Sequence, residues 1–214
     1  VSDAFYTFTR AICIGPWRAA SRVTLIGREH TRRPGAFIIA ANHLGPYDVA
    51  ALIAHSIRRV DFVSIVEIFR NPVVASFFRS MNAFPLDRSR PDPTTTRTII
   101  TRLRAGRVIG MFPEGGFRPG DDSLLDGGPM RPGLGRLSLL TQAPVIPCAI
   151  VGTNGFGHWS SWLPARRVSY GVAFGPPMTP PASRDATSAF EATYRDRMVA
   201  LGSSLREASR GALM

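Results

Sequence analysis

The chain reads as an α/β protein, with a mixed, mostly parallel central sheet flanked by helices and preceded by an N-terminal amphipathic helical segment. Three observations predict this. Short β-rich runs alternate with longer helical windows from about residue 36 onward. Pro and Gly mark most of the joints, notably Gly106, Pro144 and the stretch 175–181. The 214 residues, 44% of them apolar, suffice for one hydrophobic core and are short for two. One domain over 1–214 is therefore expected, with an amphipathic segment at 1–26, a catalytic core at 36–175 and a last helix at 183–210.

Taken in order, Ala4 to Leu25 carries Phe5, Phe8, Ile12 and Trp17 at roughly helical spacing, with Arg10, Arg18 and Arg22 between them. It reads as one or two amphipathic helices broken near Gly15-Pro16. Packing of the aromatics on the core explains the pattern; so does a basic, aromatic-studded element lying in a membrane interface. Strands are expected at Phe37–Ala41, Phe62–Ile65, Ala83–Leu86, Val108–Phe112, Val145–Val151 and Arg167–Phe174. Helical windows fall at Asp48–Arg58, Glu67–Ser80, Thr94–Ala105, Pro132–Thr141 and Ser183–Ser209. One segment, Pro113 to Arg131, is a long Gly/Asp/Pro-rich loop directly after an apolar strand, and loops of this length in a small domain are typically binding loops or disordered.

All 26 basic residues are Arg, against 15 acidic residues, for a net charge of +11. A genome-level codon preference is the bland reading of the choice of Arg over Lys. Whatever its origin, the charge attracts phosphates on lipid headgroups, nucleic acid or acyl carriers, and each Arg near an anionic lipid surface contributes on the order of 1 kcal/mol. Two distant cysteines, Cys13 and Cys148, suggest neither a disulfide framework nor a zinc site, and no His/Cys/carboxylate cluster has metal-ligand spacing. No apolar run has the length of a membrane span, and no signal-peptide pattern opens the sequence. A peripheral protein at the cytoplasmic face of a membrane is the expectation.

The residues suited to chemistry cluster in two motifs. Asn42-His43-Leu44-Gly45-Pro46-Tyr47-Asp48 follows an apolar strand and enters a helix, so His43 is expected in a turn at the strand's carboxyl end, where open α/β sheets place ligands. The tight Gly45-Pro46 turn allows the Asp48 carboxylate to reach back to the imidazole, fix its tautomer and leave the other nitrogen as a base. A His and an Asp five residues apart are by themselves equally well a turn residue and a helix cap. The second motif, Phe112-Pro113-Glu114-Gly115-Gly116, ends another strand, and its glycines allow backbone to approach a ligand. Two polar motifs at the carboxyl ends of two apolar strands imply one shared cleft.

Four blocks in this order resemble the 1-acylglycerol-3-phosphate acyltransferase (PlsC-like) family of glycerolipid acyltransferases. Asn42-His43 through Asp48 is similar to its NHxxxxD block, with a catalytic His and an orienting Asp. Phe84-Pro85-Leu86-Asp87-Arg88 corresponds to a second block whose Arg binds the acceptor's phosphate. Phe112-Pro113-Glu114-Gly115 matches a third, also at the acceptor, and Val145-Ile146-Pro147-Cys148 an apolar fourth near the acyl donor. The blocks span about half the chain. The resemblance implies that His43 and Asp48 are catalytic, that Asn42, Arg88, Glu114, Gly115, Gly116 and Arg118 face substrate, and that Val145, Ile146 and Pro147 lie by the acyl donor. Two departures touch the acceptor half: Gly116-Phe117-Arg118 replaces the usual Thr-Arg after Gly115, and Asn82 stands where Gly is common.

The implied reaction moves a fatty acyl group from acyl-CoA or acyl-carrier protein to a lysophospholipid hydroxyl, with lysophosphatidate as the leading acceptor. It needs no cofactor or metal, the thioester being a co-substrate, and no enzyme nucleophile: there is no G-x-S-x-G elbow, and Cys148 sits in an apolar strand. Another lyso-lipid, a phosphate-free acceptor or a non-catalytic lipid-binding role are the alternatives. A nucleic-acid partner has no helix-turn-helix, RRM or zinc-finger pattern behind it. The oligomeric state is not legible.

Overall fold

The computed structural model describes residues 3–86, 93–158 and 167–211. A seven-stranded sheet forms from β1 (Ser21–Ile26), β2 (Phe37–Ala41), β3 (Val60–Ile65), β4 (Phe84–Leu86), β5 (Val108–Met111), β6 (Val145–Val151) and β7 (Val168–Phe174). The spatial order is β1-β7-β6-β2-β5-β3-β4, and every neighbouring pair is parallel except β6 with β7. Strand β2, Phe-Ile-Ile-Ala-Ala, is buried at every position, as a parallel strand covered on both faces must be. Its Phe37, Ile39 and Ala41 face one apolar layer and Ile38 and Ala40 the other.

Helices α1 (Asp3–Ala19), α2 (Tyr47–His55) and α3 (Pro72–Ser80) lie on the first side; α4 (Pro93–Arg104), α5 (Leu134–Thr141) and α6 (Thr187–Gly211) cover the second. Helix α6 buries Phe190, Tyr194, Met198 and Leu205, one stripe at 3.6-residue spacing, against the sheet. The α1 end is held by a charge cluster: fully buried Asp61 pairs with Arg102 at 2.9 Å and Arg107 at 2.6 Å, and Arg107 reaches on to Asp3 at 2.9 Å. Breaking such a pair strands a buried charge and is costly, even where its net contribution is small.

Three elements depart from the sequence reading. Over 4–25 the expected break near Gly15-Pro16 is absent: α1 continues through it to Ala19, and Ser21–Ile26 is an edge strand paired with β7. Pro16 removes one N–H donor only a few residues before the helix ends, and buried Trp17 clamps that end by stacking on Phe156 at 4.2 Å and donating to the Tyr170 hydroxyl at 2.6 Å. The Glu67–Ser80 window is split, because Asn71 caps α3 by accepting from the backbone N–H of Val73 and Val74, with Pro72 in the first turn. A 3₁₀ turn, Val66–Phe69, precedes it.

His55, in the last turn of α2, is buried, its Nε2 lying 2.5 Å from the Tyr170 hydroxyl. Burial, then the positive Arg28, Arg18 and Arg10, pushes its pKa from 6.5 to about 4. Because the folded value lies below the unfolded one, the neutral ring's contribution is fully present above pH 6.5 and is lost as pH falls through 4. The stability advantage of wild type over His55→Gln should accordingly shrink by about 2 kcal/mol between pH 7 and 4.5 in urea unfolding; an equal advantage at both pH values would show that this ring does not titrate with folding.

Candidate active site

Sheet order makes the two sequence motifs neighbours. β2 lies between β5 and β6, so the turn after β2, the loop after β5 and the turn after β6 share one edge. His43 is pinned through its own backbone: its N–H donates to Glu114 Oε2 at 2.5 Å and its carbonyl accepts from the Arg118 N–H at 2.7 Å. The Gly45-Pro46 turn then folds back into α2 and presents Asp48. Its Oδ2 accepts from His43 Nδ1 at 2.8 Å and from the backbone N–H of Leu44 and Gly45 at 2.6 and 2.9 Å. Oδ1 takes the hydroxyl hydrogen of Thr153. A carboxylate can only accept, so Nδ1 carries the proton and, in the neutral ring, Nε2 keeps its lone pair. Phe112 stacks on the ring at 3.8 Å and Phe117 meets it edge-on at 4.5 Å.

Glu114 is 1% exposed, and its second oxygen accepts from the Leu124 N–H at 2.6 Å. Both oxygens therefore serve backbone, joining the β5 loop to the His43 turn. Desolvation raises its pKa to about 7 despite these two N–H donors. Gly115 has φ 71° in the left-handed region, and a Cβ there would collide with the Arg131 side chain.

Other expected site residues stand elsewhere. Asn42 is fully buried and uses its whole amide on the Ile150 backbone, donating to the carbonyl at 2.9 Å and accepting from the N–H at 2.7 Å, so it ties β2 to β6 rather than facing substrate. Val145, Ile146 and Pro147 are buried in β6 and line neither of the clefts described below, because strand residues flanked on both sides point into the core. Arg118 also lines neither cleft; its Nε lies 3.5 Å from the Glu114 carbonyl. Arg88 lies outside the described residues. Asn82 adopts φ 63°, a conformation that Gly and Asn accept, so this departure from the family pattern reflects a turn closing α3 and not the acceptor. Cys148 is fully buried, and burial pushes its thiol well above the ordinary range.

Two clefts open near Phe112, the ring stacked on His43. One, of about 380 Å³, lies on the α1–α3 side and is lined mainly by apolar side chains, among them Ile14, Val49, Ile53, Ile65 and Phe78, together with His43 itself. The other, of about 490 Å³, lies between α4, α5 and the end of β5 and includes Gly115, Gly116, Arg131 and Arg136. Phe112 borders both. Among the described residues, no group of three His, Cys, Asp or Glu is placed to hold a metal ion. The sequence reading missed Thr153 and Arg131. Nothing in the sequence links Thr153 to Asp48, since only sheet order joins them; Arg131, closing the Pro113–Arg131 loop, was visible but indistinguishable from the other arginines.

The family model described as Acyltransferase matches residues 22–151, a span containing both motifs, and the chain belongs to this family. Two curated relatives are each named 1-acyl-sn-glycerol-3-phosphate acyltransferase. The one from Bacillus subtilis is 30% identical over 133 residues, 62% of this chain. That from Borreliella burgdorferi is 26% identical over 164 residues, 72% of this chain. The chain spans 64% and 60% of those relatives' own lengths. Among solved structures, the 1-acyl-sn-glycerophosphate (LPA) acyltransferase PlsC from Thermotoga maritima shares the fold, with TM-score 0.60 and 22% identity over 83% of this chain and 71% of that one.

The role of Thr153 is separable from folding at large. Thr153→Val keeps volume and removes the hydroxyl that donates to Asp48 Oδ1. It should cost about 1–3 kcal/mol in urea unfolding, with an unchanged circular dichroism spectrum; unaltered stability would mean that this hydroxyl does not hold the carboxylate.

Proposed function

We propose that this protein transfers a fatty acyl group from a thioester, acyl-CoA or acyl-carrier protein, to the free hydroxyl of a lysophospholipid, with lysophosphatidate the leading acceptor. The observation that carries this reading is the His43 ring: Nδ1 is held by a buried carboxylate, which orients Nε2 as the available base beside an apolar cleft. The acceptor hydroxyl loses its proton to Nε2 as its oxygen bonds to the thioester carbonyl carbon. Asp48 steadies the imidazolium that results. Collapse of the tetrahedral intermediate breaks the carbon–sulfur bond, and the departing thiolate takes the proton from Nε2, leaving ester and free thiol. No enzyme-bound acyl group forms, in keeping with the buried Cys148.

The apolar cleft on the α1–α3 side suits the donor's acyl chain, since it joins His43 to a wall of aliphatic and aromatic side chains. Of the two helices that border it, α1 exposes Phe8 and Ile12 and α3 exposes Val73 and Phe77; Phe77 lines the cleft and meets Phe5 edge-on, ring centroids 6.2 Å apart. Exposed apolar side chains on two neighbouring helices of a chain of net charge +11 favour peripheral attachment to an anionic membrane, from which a lysophospholipid enters without crossing water. Among the described residues no helix is long and apolar enough to cross a membrane. A phosphate-free acceptor is the second reading, favoured by Phe117, an uncharged ring beside His43.

A matrix of acyl-CoA and acyl-carrier-protein donors against lysophosphatidate, other lysophospholipids and monoacylglycerol tests both readings. Transfer to lysophosphatidate should dominate, and His43→Ala should lower it by about 10²- to 10⁴-fold without loss of folding. A folded His43→Ala enzyme of undiminished rate would remove the base from the mechanism.

A further inference from the structure

The cleft on the α4–α5 side has a feature that the motifs do not describe. Two guanidinium groups, Arg131 and Arg136, are among its lining residues, and among the described residues no carboxylate is. Arg131 is anchored at its base, its N–H donating to the Pro113 carbonyl at 2.8 Å. Its side chain then lies across the backbone of Gly115, in space that exists because residue 115 has no Cβ. That side chain makes no hydrogen bond or ion pair among the described residues, in contrast to Arg102, Arg107 and Arg206, which face carboxylates. An exposed arginine is ordinarily a solvated charge. This one is held at the rim of a concavity, against the loop residue that follows Glu114, which bonds the His43 N–H. Beyond it the cleft wall is apolar, with Ile99, Leu134, Leu137 and Leu140.

We infer that Arg131 binds the phosphate of the acceptor, while the apolar wall beyond it carries that acceptor's own acyl chain. The inference rests on the acyl-transfer reading for the identity of the ligand. A planar guanidinium matches two phosphate oxygens at once, and this one, pinned over Gly115, pairs with no carboxylate among the described residues. Phe112, shared by both clefts and stacked on His43, places the glycerol hydroxyl between the phosphate at Arg131 and the donor chain on the opposite side of the ring. On this account a side chain at position 115 is excluded for a specific reason, because Arg131 needs that room to reach the cleft.

Equilibrium binding of hexanoyl lysophosphatidate, kept below its micelle concentration, and of monohexanoylglycerol to the full chain tests the contact without requiring turnover. Arg131→Gln should weaken lysophosphatidate binding by about tenfold to a hundredfold and leave monohexanoylglycerol unchanged. Arg131→Lys should recover part of the loss, and Arg197→Ala, an exposed change on α6, should match wild type. Equal affinities in wild type and Arg131→Gln, or equal losses for both ligands, would overturn the assignment. Arg131-dependent phosphate binding in a protein that transfers acyl groups to no acceptor would support the contact while sinking the reaction proposed above.

Discussion

The buried carboxylate of Asp48 is the constraint from which the site follows. A fully buried ionised group is tolerated only where hydrogen bonds replace water, and four donors do so here: the Leu44 and Gly45 N–H groups, His43 Nδ1 and the Thr153 hydroxyl. Satisfying that one group fixes the turn after β2, the first turn of α2 and the turn after β6. The imidazole is oriented as a by-product, because one of the four donors is its Nδ1–H.

The sheet turns this local knot into a site with two sides. Since β2 is flanked by β5 and β6, the Glu114 loop closes over the His43 backbone from one neighbour while Thr153 approaches from the other. Helices on opposite faces leave one cleft on each side of the sheet, meeting at Phe112. An acyl transfer between two amphiphiles requires two apolar chains and one reacting centre to coincide. On the proposed reading, the His43 ring, which lines one cleft and stacks on the Phe112 bordering both, meets that requirement with little motion of the backbone.

Much of this was legible in the sequence. Fully apolar strands such as Phe37–Ala41 and Val145–Val151 were bounded correctly, because a strand buried on both faces has a signal that no neighbour alters. The pairing of His43 with Asp48 was legible because it is local, closed by a five-residue turn. What failed depended on distant contacts. Ser21–Ile26 looked helical, yet it pairs with β7 as an edge strand. Asn42 shows the opposite error: its motif position suggested substrate, yet its amide is consumed by a strand partner 108 residues away. Glu114 spends both oxygens on backbone N–H groups, those of His43 and Leu124, a tie that only the sheet order makes possible.

Everything chemical here depends on which nitrogen of one imidazole holds the proton. Nitrogen-15 NMR of histidine-labelled protein, with His43 assigned by comparison with His43→Gln, reads that directly near neutral pH. The expected spectrum shows a protonated Nδ1 whose hydrogen is shifted far downfield by Asp48, beside an Nε2 with a free lone pair. A proton on Nε2 in the neutral ring, with Nδ1 bare, would contradict the arrangement and leave the acceptor hydroxyl without its base.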